Sequence, residues 1–247
     1  MIGTPRSDRR ATNATARPEA ADAEVLRSRL GPFWERHEGT AAGAVANLGN
    51  CPVTADEAST ATAQLAAVHV FMTAVDDTLL RTSLTDHDAT AATMLRCLAS
   101  GLLRLPSRRG PAVSVADELT GALDPLHVGT VRESTLPIRA TAVEGTYPDS
   151  GADHVLLWSE TGRVLGTLTG PGEQDTLFAR GSRFRVLGVA RRGTASVGML
   201  RELPADGTIP SREKLTAGWD TALLYRLRAV LDLPPATTPG DVCDSSG

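Results

Sequence analysis

Residues 154–192 read HVLLWSETGRVLGTLTGPGEQDTLFARGSRFRVLGVARR, and this stretch decides the fold class. Four short apolar runs are separated by Glu160-Thr161-Gly162, Gly170-Pro171-Gly172 and Arg180-Gly181-Ser182. Apolar runs of this length with glycine breaks predict antiparallel strands joined by tight turns. Glu173 and Asp175 stand one residue apart at the entrance to the third run. A carboxylate pair there is a candidate for chemistry, weighed against two solvated turn residues.

Working outward, strand-like runs also occur at Pro111–Val115, Val128–Val131, Ile138–Val143 and Val197–Leu203. Within the opening stretch the expected strands are Val155–Trp158, Val164–Thr169, Thr176–Ala179 and Phe184–Val189. Upstream the period changes. Val25, Leu26, Leu30, Phe33 and Trp34 mark a helix from Glu19 to Trp34, followed by a loop from Gly39 to Pro52. Thr54-Ala55-Asp56-Glu57 has the form of a capping box, and Ala61, Leu65, Val68 and Met72 continue it as a helix face. A third helix spans about Asp88 to Leu105, with Met94, Leu95, Leu98 and Leu102 inward and Pro106 as its stop.

Asp117 to Leu123 reads as a short helix. A last helix covers Ser211 to Leu231, with Leu215, Trp219, Leu223, Leu227 and Val230 inward. Helices first, strands second and a helix last predict an α+β protein with a mostly antiparallel β core of two packed sheets. The expected divisions are a disordered arm over 1–18, a helical part over 19–106, a β core with its closing helix over 107–233, and a disordered tail over 234–247.

The chain has 247 residues, 41% hydrophobic and 22% charged, as in ordinary globular proteins. Its net charge of −4 argues against a general nucleic-acid binder. Lys214 is the single lysine, a coding bias more than a function. Cys51, Cys97 and Cys243 form neither a disulfide framework nor a zinc pattern. Asp76-Asp77 and Asp86-His87-Asp88 stand beside expected helix ends and read as caps, so no metal is expected. No apolar run approaches a membrane span, and the N-terminus lacks the apolar core of a signal peptide. The expectation is a cytoplasmic protein, or one exported without a cleavable signal.

Walker, H-E-x-x-H, G-x-S-x-G and Rossmann patterns are missing. The region from Ala91 to Leu203 instead resembles the mono-ADP-ribosyltransferase family. The resemblance rests on three pieces. Cys97 to Pro106 is a helix ending in Leu-Pro that leads into Gly110 to Ser114. Leu136 to Thr141 stands where the family has a Ser-Thr-Ser strand. Glu173-Gln174-Asp175-Thr176-Leu177-Phe178, with Gly181 and Phe184-Arg185-Val186, stands where the family has Glu/Gln-x-Glu before its closing strands.

The resemblance implies cleavage of NAD at the nicotinamide–ribose bond and transfer of ADP-ribose to a protein acceptor. It assigns the cofactor-binding arginine position to Ser114, the serine position to Arg139 or Thr141, and the catalytic glutamate position to Asp175. Glu173 takes the acceptor-orienting position and is the one outright match. An arginine suits phosphate because of its planar fork of donors, and a carboxylate stabilises developing positive charge. Asp175 is one methylene short of the family's glutamate, and a displacement near 1 Å costs about a hundredfold in rate. The leading expectation is therefore a catalytically degenerate domain acting as a binding or scaffold module for a protein partner. The alternative is an atypical transferase using NAD, with Asp175 catalytic, Glu173 orienting the acceptor and Arg139 on the phosphates.

Overall fold

The computed structural model describes residues 20–48, 54–73, 89–116, 126–144, 147, 152–170, 175–203 and 213–232. The expected arm, tail, Asp117–Leu123 helix and acidic clusters at Asp76 and Asp86 lie outside the described residues, as does Glu173. The chain divides into two compact units, one holding the helices up to Gly101 and one from Leu102 onward.

The helical unit holds α1 (Ala20–Leu30), α2 (Pro32–Asn47), α3 (Ala55–Thr73) and most of α4 (Ala89–Arg104). The single helix expected from Glu19 to Trp34 is two. Gly31 adopts φ 50°, and its amide returns to the Arg27 carbonyl at 2.9 Å. A left-handed glycine closes one helix and Pro32 opens the next at the position where proline lacks nothing. Leu26 and Trp34 are buried as expected, whereas Val25 and Phe33 are exposed. The expected loop after Gly39 is helical through Asn47, because Ala41, Ala44 and Val45 bury one face. The capping box at the start of α3 forms in both directions: the Glu57 amide donates to Thr54 Oγ1 at 3.1 Å, and the Thr54 amide to Glu57 Oε2 at 3.2 Å.

The second unit holds β1 (Gly110–Val115), β2 (Val131–Glu133), β3 (Ile138–Ala142), β4 (His154–Ser159), β5 (Arg163–Val164), β6 (Asp175–Phe178), β7 (Arg183–Arg192) and β8 (Ala195–Leu203). A one-turn helix α5 (Gly166–Thr169) precedes β6, and α6 (Glu213–Leu231) closes the unit. The strand expected at Val164–Thr169 is mostly α5, because Leu165 and Leu168 are both buried at helical rather than alternating spacing.

The strand order is β2-β7-β8-β4-β1-β3-β6-β5, antiparallel except where β4 and β8 run parallel. The mostly antiparallel α+β architecture is as anticipated. The two layers, however, belong to one hydrogen-bonded sheet. Phe178 of β6 and Phe184 of β7 stand five places apart in that order, yet their ring centroids are 5.4 Å apart. The sheet curls until its halves pack on each other, enclosing Ala112, Ile138, Ala140, Val155, Leu157 and Val186 with the two phenylalanines. Strand twist produces such closure when apolar residues line the inner side.

The outer side carries a second core. Val113, Leu156, Val197 and Met199 pack there against Leu223 and Leu227 of α6. Trp219 departs from the expected inner face, being 39% exposed, with its ring under the Arg109 guanidinium. Gly188 lets α6 approach β7, since a Cβ there would lie 3.2 Å from Leu224 Cδ1.

Candidate functional site

Asp175 is the first residue of β6 and pairs directly with Thr141 of β3. Arg139, two residues along β3, pairs with Leu177. Side chains two apart on a strand share a face, so Arg139, Thr141 and Asp175 meet on the outer side of the sheet. Arg139 Nη2 donates to Asp175 Oδ2 at 2.5 Å, and Thr141 Oγ1 donates to Asp175 Oδ1 at 3.2 Å. Asp175 is buried, 6% exposed, while the Arg139 side chain is 40% exposed. The carboxylate therefore lies under its cation, with each oxygen holding a donor.

Ser114 is placed differently. It pairs with Val155 of β4 and follows Ala112 by two residues, and both of those line the enclosed core. Its side chain belongs to the opposite face of the sheet from Asp175. Ser114 Oγ donates to the Arg139 carbonyl at 2.6 Å, tying β1 to β3 through the backbone. Of the five residues singled out in the sequence, three converge, Ser114 supports them from behind, and Glu173 lies outside the described residues.

Two further residues shape this end of the sheet. Arg163 of β5 pairs with Leu177 from the side opposite Arg139 and so shares its face. Its Nη1 donates to the Leu105 carbonyl at 2.9 Å, fastening β5 to the end of α4. Glu202 of β8, 3% exposed, accepts the amides of Glu160 and Thr161 at 2.7 Å each, and the Thr161 hydroxyl. It holds the β4–β5 turn against the sheet. Within that turn Gly162 has no room for a side chain: a Cβ would stand 2.6 Å from both Ser159 Oγ and Thr176 Cγ2. Thr176 follows Asp175, so the turn also locates the carboxylate. Nothing in a single sequence marks Glu202 as this tie, because its partners lie about forty residues away. The glycine of the Glu-Thr-Gly turn is the one local signal.

The chemistry open to the site follows from these contacts. A carboxylate that stabilises a cationic transition state acts through its unbalanced negative charge. Here the Arg139 guanidinium donates to the carboxylate and opposes that charge. Among the described residues no group of three or more His, Cys, Asp and Glu is placed to hold a metal ion. No described helix is long and apolar enough to cross a membrane.

Several solved structures share this fold. The type III effector XopAI from Xanthomonas axonopodis pv. citri superposes with a TM-score of 0.59 at 18% identity, over 78% of this chain and 87% of its own. Its form lacking 70 N-terminal residues gives 0.58 at 18% identity, over 78% and 92%. Exoenzyme S from Pseudomonas aeruginosa, solved with human 14-3-3 protein beta and bound to carba-NAD, gives 0.51 at 15% identity, over 80% and 95%. At these identities the likeness is one of fold. No family model and no curated protein matches the sequence.

Proposed function

We propose, on the premise of the ADP-ribosyltransferase-like fold this chain has, that it is a catalytically degenerate member of that fold acting as a binding or scaffold module. One observation carries the reading: Asp175, to which the resemblance gives the catalytic carboxylate position, is held by Arg139 and Thr141. Cleavage of NAD needs a carboxylate that takes a ribose hydroxyl and faces a developing oxocarbenium. Asp175 would first have to exchange a charged partner for a neutral one, while buried. The resemblance also asks for an arginine from β1, and Ser114 in that position is directed into the enclosed core.

A second reading has one observation in its favour. Arg139, Thr141 and Asp175 do meet on one face, as an atypical transferase would require, with Arg139 swinging from Asp175 to the phosphates of NAD when substrate binds. Under it Asp175 is catalytic, Glu173 orients the acceptor, and NAD is the substrate.

Incubation with labelled NAD separates the two. We expect no transfer and no NAD cleavage by the natural chain. Label transfer abolished by Asp175→Asn would establish the atypical enzyme and overturn the degenerate reading. Arg139→Ser with Asp175→Glu is the informative repair, since it frees and lengthens the carboxylate without placing a charge in the enclosed core. For the scaffold role a protein partner is proposed; the 14-3-3 complex of exoenzyme S is a precedent within the fold. Export is proposed with it, in line with the type III effector of the same fold.

A further inference from the structure

We propose that His37 and His69 form an acid-sensitive latch between α2 and α3, which loosens the helical unit when both rings are protonated. It does not rest on the reading of Asp175. The two Nδ1 atoms lie 3.0 Å apart, and the rings meet edge to face with centroids 4.8 Å apart. His37 is 3% exposed and is flanked on its own helix by Phe33, at 4.4 Å between centroids. Two ring nitrogens at this distance hold a single hydrogen between them.

The neutral pair therefore needs complementary tautomers. One ring carries its hydrogen on Nδ1 and donates; the other is bare at Nδ1 and carries its hydrogen on Nε2. A first added proton preserves the bond only on Nε2 of the donor ring. A second must go to the bridging Nδ1, which turns a hydrogen bond into two N–H groups aimed at each other. Among the described residues His37 Nε2 is buried without a hydrogen-bond partner, so none of them supplies an acceptor there to compensate a charged ring.

The surroundings oppose protonation in the same direction. Burial, the facing His69 and then Arg36 hold His37 below the ordinary imidazole range, and burial lowers His69. Besides the rings themselves, the charged group that acts on the pair is Arg36 of α2, which lowers His37. Among the described residues no carboxylate of α1, α3 or α4 raises either ring. His154 in the β-rich unit is lowered as well, since burial outweighs the Ala152 carbonyl and the Asp153 carboxylate, which raise it.

The sign of the effect follows from linkage. Both folded values lie below the unfolded value of about 6.5, so the opened state binds more protons. Stability present above about pH 6.5 is lost as the pH falls through that value toward the folded ones. The first consequence is separation of α2 from α3, a local opening rather than loss of the whole chain.

Hydrogen exchange of the full chain at pH 7.5 and 5.5, corrected for the intrinsic pH dependence, tests the latch. Because pH 5.5 lies about one unit below 6.5, peptides from α2 and α3 should lose protection by up to about tenfold for each ring that titrates, while β3 and β6 change little. His69→Gln keeps one hydrogen-bonding group toward His37 and cannot titrate, so it should reduce the acid response to the part that burial of His37 alone supplies. An unchanged acid response in that variant, or none in the natural chain, overturns the proposal. An NMR titration of the natural chain reads the same property without mutation: two separated steps below 6.5 support it, and both rings titrating near 6.5 refute it. Added zinc that protects α2 and α3, reversibly with a chelator, would mark the pair as metal ligands and overturn the latch.

Discussion

Arg139 Nη2 and Asp175 Oδ2 are 2.5 Å apart on neighbouring strands, and the carboxylate is the buried member of the pair. The burial is asymmetric, and so are the consequences of removing each partner. Arg139→Met leaves a buried carboxylate held by the Thr141 hydroxyl and should destabilise the β-rich unit by about 1–2 kcal/mol, a low figure because the guanidinium is more than a third exposed and screened. Adding Asp175→Asn should recover most of that loss. Additive losses in a double-mutant cycle of urea unfolding would show that the two side chains are not coupled.

Gly101 of α4 lies against the backbone of α3. A Cβ there would stand 2.3 Å from the Gln64 carbonyl oxygen and 2.9 Å from Val68 Cγ2. Backbone cannot yield as a flexible side chain does, so Gly101→Ala should lower stability by about 1–3 kcal/mol, despite alanine's better helix propensity. A thermal midpoint at or above that of the natural chain would contradict this helix spacing.

Glu202 gathers three donors of the β4–β5 turn while almost fully buried. Glu202→Gln keeps its size but replaces an acceptor-only carboxylate by an amide that needs acceptors of its own. We expect a loss of about 1.5–3 kcal/mol, with exchange of the Glu160 and Thr161 amides rising first. Equal protection of those two amides in the variant would remove Glu202 from this role.

Cys97 lies in the helical unit, and burial, followed by the Asp22 charge, pushes its thiol up to about 12. The thiolate is the reactive form, so the native chain should resist alkylation at this position at pH 8. In a Cys51→Ser, Cys243→Ser background, iodoacetamide should modify Cys97 only with added denaturant. Prompt native modification, read by intact mass, would show that the site opens readily.

Much of this protein is legible residue by residue. The Thr54–Glu57 box, the α4 face of Met94, Leu95, Leu98 and Leu102, and the runs that become β1, β3, β4, β6, β7 and β8 all depend on neighbours within a few positions. The structure departs from the expectation where one local signal has two meanings. Gly31-Pro32 is a helix stop followed by a start, and Leu165 with Leu168 has helical spacing inside an apparently strand-like run. The His37–His69 and Glu202–Thr161 contacts had no local signal, since their partners are far apart in the chain.

Asp175 marks where the division falls. The sequence alone established an α+β chain with a carboxylate at the mouth of a strand. Period, turn chemistry and residue type are properties of adjacent residues, and they suffice for that; the family resemblance alone implies that the carboxylate is a shortened one and that β1 lacks an arginine. Strand register decided the rest. A shift of one residue sends a side chain through the sheet, and it is pairing between β1, β3, β4 and β6 that turns Ser114 inward and brings Arg139 and Thr141 onto Asp175. The charge balance of the site is thus a tertiary property, set by residues 36 and 34 positions apart in the chain.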